Sequence, residues 1–346
     1  MRASLIGAAV VLALAAGLAV GIWRGRGEVE APPPFAPDRT ENGTLEMRGG
    51  VPVLFLSGPP RARGLAHGRL LADAIRGWVE RVRPAGPGLS DFAISTCGER
   101  LLPFVPPDVR EEMEGIAEGA GVSLKEILHL HTRLEIETFE TPRRPRFLGP
   151  AAAGAGPAVA RWFSPDDVDG RPGELVVVVH RVEPPIALVA LPGMAGGFLG
   201  VRGETGATLR PMEAKTPAVL GGLTWPLLLR ELLRHPPEAG RPLPARATLL
   251  ASLPMALPGG RVGALNVAPS GGTWYRAPSG VAAASEDAVT GTEDAVDLAA
   301  GEAPHSPPAL PLGRHIVVRM TRRGAVVEVS FEEAGEARKA EIELLP

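Results

Sequence analysis

The 346-residue chain has a single cysteine, Cys97, which excludes an intramolecular disulfide and any CxxC-type zinc site. Its stability must therefore come from packing. Lysine is nearly absent, confined to Lys125, Lys215 and Lys339, so almost every basic residue is arginine. Because Ala, Gly and Pro are also abundant, the arginine content reflects compositional bias rather than a binding surface. A formal net charge of −3, with acids and bases interspersed, provides neither a basic footprint nor an acidic tail, and no nucleic-acid partner is expected. Several local signatures are missing as well. There is no Gly-x-Ser-x-Gly elbow of an α/β-hydrolase and no His-Glu-x-x-His zinc motif, and the glycines between Gly200 and Gly206 fit neither phosphate-binding fingerprint, reading instead as a connecting turn. What the chain does have is length and 45% hydrophobic residues, enough for one large mixed domain with a sizeable core.

Leu5 to Trp23 contains no charge, with Arg2 before it and Arg24 and Arg26 after it. Such a run is just long enough to span a bilayer as a helix. The sequence thus predicts a single-pass cell-membrane anchor or signal segment over residues 1–27, with the remainder extracytoplasmic. Cleavage of that segment would leave the domain secreted or periplasmic. Ala31 to Pro37 is proline-rich, and residues 28–50 read as an extended spacer ahead of a globular domain at 51–346.

Within that domain, Val51 to Leu56 suits a strand, and the apolar residues from Leu65 to Val82 recur at helical spacing, predicting one helix over Ala62 to Val82. Asp108 to Glu118 is helical in pattern, Gly119 to Gly121 interrupts it, and Ser123 with Glu126 predicts a capping box at the next helix. Gly149 to Pro157 reads as loop or weak edge structure, and Ser164 to Gly173 as a polar turn. Beyond them come strand-like runs at Glu174–Arg181, Ile186–Leu191 and Phe198–Arg202. Helix-like stretches follow at Trp225–Arg234 and Pro244–Ser252, then strands at Gly263–Ala268, Thr273–Ala277, His315–Thr321, Ala325–Phe331 and Ala337–Leu344. Ser285 to Pro311 reads as a long loop. Hairpin-sized gaps such as Arg322-Arg323-Gly324 favour an α+β fold over a doubly wound parallel sheet.

Several stretches, in order along the chain, carry a resemblance. Arg63-Gly64-Leu65-Ala66-His67-Gly68-Arg69-Leu70 has a G-x-x-H-G-x-x-L pattern, and Glu112-Met113-Glu114-Gly115-Ile116-Ala117-Glu118-Gly119-Ala120-Gly121-Val122 an E-x-x-G-I-A-E-G-A-G-V pattern. Leu191-Pro192-Gly193-Met194, Leu227 to Leu233 and Ala264-Leu265-Asn266-Val267 then follow in order. From Val51 onward the chain thereby resembles the acyl-coenzyme A:6-aminopenicillanic acid acyltransferase-like family of N-terminal-nucleophile hydrolases. The resemblance implies a four-layer αββα sandwich. It also implies a cysteine exposed by self-cleavage that attacks an amide or thioester carbonyl, its own α-amino group serving as base. At the corresponding place this sequence has Gly149-Pro150-Ala151, without a nucleophile, and His131 where relatives carry an asparagine. As catalytic remnants the resemblance implies Asn266, at an oxyanion-stabilising position, and Asp167 or Asp166, near an acid that supports the nucleophile loop. From the residues alone, Asn266 is equally a turn or strand-end asparagine, and Asp166, Asp167 and Asp169 a solvated turn before Gly170.

The resemblance implies a catalytically degenerate protein with a binding or scaffolding role. Its alternative is an active amidohydrolase or acyltransferase with a displaced nucleophile, for which Thr138, Thr141 and Ser164 are candidates. The partners expected are a membrane through the N-terminal segment and a small amide or acyl ligand, with no cofactor and no metal. His131 and Glu135 would share a helix face at i, i+4, but His129 would point elsewhere, so both histidines read as structural. His67 reads as a packing or capping residue, and Cys97 as a free, partly buried thiol.

Overall fold

A computed structural model describes residues 35–83, 96, 99–140, 151–153, 156–163, 174–182, 184–208, 210–211, 222–236, 251–257, 261–268, 271–276, 316–333 and 336–344. The architecture is mixed α+β, as expected. Among the described residues five α-helices form one layer: α1 (Pro60–Leu70), α2 (Ala72–Val82), α3 (Pro107–Ala120), α4 (Leu124–Glu140) and α5 (Trp225–Arg234). Among the described residues two sheets accompany them. The larger has 11 strands in the order β1 (Asp38–Thr40), β2 (Gly43–Arg48), β3 (Val51–Leu56), β6 (Val176–His180), β7 (Ile186–Ala190), β8 (Leu199–Arg202), β9 (Thr205–Thr208), β11 (Ala251–Leu257), β12 (Arg261–Ala268) and β13 (Gly271–Arg276), with β10 (Arg210–Pro211) pairing β11. The smaller runs β16 (Glu336–Glu343), β15 (Val326–Glu333), β14 (Ile316–Arg323), β5 (Gly156–Phe163), β4 (Ala151–Ala153). The β3–β6 pairing is parallel, and the remaining pairings are antiparallel.

Helices α1 and α5 pack on the large sheet, and the small sheet stacks on it too: β16 lies by β2 and β3, β5 and β14 by β8, and β4 by β12. Between two layers a strand has no wet face, which is why β3, β6 and β7 are buried at every position and read as unbroken apolar runs. The small sheet instead alternates. Val318, Met320, Val327, Val329 and Phe331 enter the core, while Arg319 and Glu332 pair across strands at 3.0 Å on the other face.

The family-like glycines explain the closest contact in the helix layer. A Cβ on Gly64 would stand 2.0 Å from the Glu112 carbonyl oxygen, and one on Gly115 would stand 2.3 Å from that of Arg61. Gly68 and Gly119 repeat the arrangement one turn on, so α1 and α3 cross backbone to backbone. Gly119 is therefore not the helix breaker the sequence suggested. The helix continues to Ala120 and stops at Gly121, whose φ of 71° supplies the left-handed cap. The capping box forms as expected: Ser123 N–H donates to Glu126 Oε2 at 2.8 Å, and Glu126 N–H donates to Ser123 Oγ at 3.2 Å.

Other expectations are corrected. The single helix over Ala62 to Val82 is two, broken at Leu71, which turns Ile75, Trp78, Val79 and Val82 of α2 into the core. Strands β1 and β2 precede Val51, within the stretch expected to be an extended spacer, because β2 pairs antiparallel with β3 along its whole length. Ala251 and Ser252, placed in a helix, open β11, because cross-strand pairing with Val267 and Asn266 overrides their local preference. The Gly149 to Pro157 region contributes edge strand β4. The single-pass membrane helix, and with it the cell-membrane placement, is also corrected: among the described residues no helix is long and apolar enough to cross a membrane. Leu5 to Trp23, on which that expectation rested, lies outside them, as do Cys97 and Ser285 to Pro311.

Candidate functional site

The segment from Leu191 to Gly197 joins β7 to β8 through the interior, and every residue in it is buried. A buried connection is costly unless each backbone N–H and C=O finds a partner. Here side chains from three helices provide some of them, beside the backbone bonds of Met194 and Gly197 N–H to the Leu191 and Pro226 carbonyls. Gly193 N–H donates to Nε2 of His67 on α1 at 3.2 Å, and Ala195 N–H to Nε2 of His131 on α4 at 3.0 Å. Arg230 on α5 donates to the Ala195 carbonyl through a terminal nitrogen. Gly193 adopts φ 86°, and a Cβ there would come within 3.3 Å of Ile75 and Leu130, so the segment is also pinned sterically between α2 and α4.

Glu112 in turn anchors Arg230. Its carboxylate receives both terminal nitrogens of Arg230, at 3.0 and 2.8 Å, and Nε of Arg63 at 2.7 Å. His180, the last residue of β6, lies 3.8 Å away through Nε2. Burial by itself would raise the Glu112 pKa, but the Arg230 and Arg63 guanidiniums outweigh it and hold the carboxyl ionised, well below the usual carboxylate range. For the histidines burial dominates in the other direction. It lowers His67 and His131 to about 4 and His180 to about 3, with Glu112 opposing and Arg230 assisting in each case. All three are neutral at pH 7, as the two N–H acceptors must be.

His131 is fully committed: Nδ1–H donates to the Ile127 carbonyl at 2.8 Å while Nε2 accepts from Ala195. No lone pair remains for a metal, and His129 points away to the Val82 carbonyl at 3.3 Å, as the helical spacing implied. Among the described residues no group of three or more metal-ligating side chains forms. His67 proves to be an interior acceptor rather than a helix cap. Arg63, Glu112, His180 and Arg230 were not singled out as site residues from sequence. The available signal was a charge inside an apolar pattern, as in the Trp-Pro-Leu-Leu-Leu-Arg run of α5.

Of the residues marked as catalytic remnants, only Asn266 is among those described. Asn266 sits inside β12, paired with Ser252 on one side and Thr273 on the other, and so belongs to a central ladder rather than a turn. Ala151, the last residue of Gly149-Pro150-Ala151, opens β4, and β4 lies beside β12. Asp166, Asp167, Asp169, Gly149, Pro150, Thr141 and Ser164 lie outside the described residues. Fold and site thus define an α+β protein of a helix layer and two stacked sheets, with an ionic and histidine cluster at its centre. No family model and no curated protein matches the chain.

Proposed function

We infer that this chain is a catalytically degenerate member of the N-terminal-nucleophile hydrolase class, in a binding or scaffolding role for a small amide or acyl ligand. The observation that carries the reading is chemical. The strand that begins at Ala151 lies beside the strand holding Asn266, and the sequence carries alanine on the first where the resemblance calls for a thiol and asparagine on the second where it calls for an oxyanion donor. A nucleophile cannot be replaced by alanine or proline, neither of which has a lone pair to offer. Support for the finer αββα sandwich comes from the helix layer and the two stacked sheets. The balanced charge argues against nucleic acid as a partner.

Intact mass and a denaturing gel of the full-length chain test this, followed by incubation with activated esters and amides. The reading predicts a chain uncleaved between Thr138 and Ser164 and no acyl adduct, with saturable binding of a non-hydrolysable acyl amide. Cleavage within that interval, or a trapped adduct on Thr or Ser, would instead establish an active hydrolase or acyltransferase with a displaced nucleophile.

A further inference from the structure

The buried segment between β7 and β8 is held by acceptors that work in only one protonation state. Nε2 of His67 and Nε2 of His131 each receive a backbone N–H, from Gly193 and Ala195. A proton added to either atom would set a donor against a donor. Both rings are fully buried, so neither can swing into water without moving its helix or the segment. The charged and titratable groups facing them are Glu112 on α3 and Arg230 on α5, with His180 on β6 facing His67 and the two rings facing each other, while Arg63 on α1 pairs with Glu112. Burial is what chiefly opposes a further cation on either ring, with Arg230 adding to it and Glu112 working against it.

We propose that His67 and His131 form an acid-sensitive latch on residues 191–197, closed at neutral pH and released when the two rings are protonated in the open form. The lowered values near 4 set the window. An exposed histidine takes up its proton near 6.5, so between about pH 6.5 and 4 the open form binds protons that the closed form refuses. The segment is held by three helices, since Gly197 N–H donates to the Pro226 carbonyl at the start of α5 and Arg230 to the Ala195 carbonyl, and protonation of the histidines removes its bonds to the other two. One of the three is α4, the helix preceding Gly149-Pro150-Ala151 in the chain.

Hydrogen exchange of the full-length chain between pH 7 and 4.5, corrected for intrinsic exchange, reads the opening directly at the Gly193 and Ala195 amides. Two linked protons predict an opening constant that rises roughly 50-fold from pH 6 to pH 5. In His67→Gln and His131→Gln the side-chain oxygen keeps the acceptor but cannot titrate, and each variant lowers that rise to about 7-fold. The amides of Val177 to Val179 on β6 report global unfolding and stay more protected throughout. A flat opening constant, a slope unchanged in both glutamine variants, or Val177 to Val179 opening in step with Gly193 would each overturn the latch. Should a variant fail to fold, the wild-type slope and its separation from β6 still decide.

Discussion

Glu112 and Arg230 are 118 positions apart in sequence and share one bidentate ion pair in the core. A buried pair of this kind adds little net stability over an apolar replacement, yet losing one partner leaves the other charged and desolvated. Glu112→Ala should therefore cost about 3–5 kcal/mol, and Arg230→Ala a similar amount. The double variant should cost much less than the sum of the two, since it strands no charge of the pair, which urea denaturation in a double-mutant cycle will measure. The same cluster sets an acid limit. Folding lowers the pKa of His67, His131 and His180, so the unfolded chain binds more protons below 6.5, and their contribution to stability declines as pH falls from there toward 4. Glu112, also lowered, contributes stability above its ordinary carboxylate range and loses it on further acidification. Both effects have one sign: the urea midpoint should drop steadily from pH 7 to pH 4.5, and a midpoint constant over that range would contradict the neutral assignment of the histidines.

Helices α1 and α3 meet through glycines that leave no room for a methyl group. Gly115→Ala would place its Cβ 2.3 Å from the Arg61 carbonyl oxygen, and forcing the helices apart should cost about 1–3 kcal/mol or more. The shift would also pull Glu112 from Arg63, one turn away. Gly77 in α2 is the contrasting case, since the nearest atom to a Cβ there is the tip of Arg81 at 3.5 Å. Gly77→Ala should stabilise by about 0.5–1 kcal/mol, because alanine restricts the unfolded chain and fits the helix. Thermal melts of the two variants should move in opposite directions. These glycines were legible as motif letters, and their spacing of four placed them on one helix face. Which helix they faced was not legible, because nothing local records that α1 packs on α3.

Across the whole molecule, buried residues of the helix layer and both sheets form one continuous apolar cluster, from Leu45 to Leu344. Phe331 on β15, 2% exposed, projects into it from the small sheet. Phe331→Ala should cost about 3–5 kcal/mol. If the sheets share one core, hydrogen exchange should show protection falling on β6 and α1 along with β15. Loss confined to β14–β16 would mark the small sheet as an independently melting unit.

By itself the sequence determined the α+β class, the Ser123–Glu126 cap, most strand positions in the second half, and the absence of a nucleophile from Gly149-Pro150-Ala151. These are properties of composition, period and adjacent residues, which act over a few positions. Only the tertiary structure decided that Gly119 is a contact rather than a stop, that Ala251 and Ser252 are strand, and that Asn266 lies within a ladder. It alone decided that His67 and His131 face a buried backbone segment with Glu112 and Arg230 behind them. Those outcomes depend on partners brought together by burial, where an unpaired N–H or charge is so costly that distant residues must converge to satisfy it.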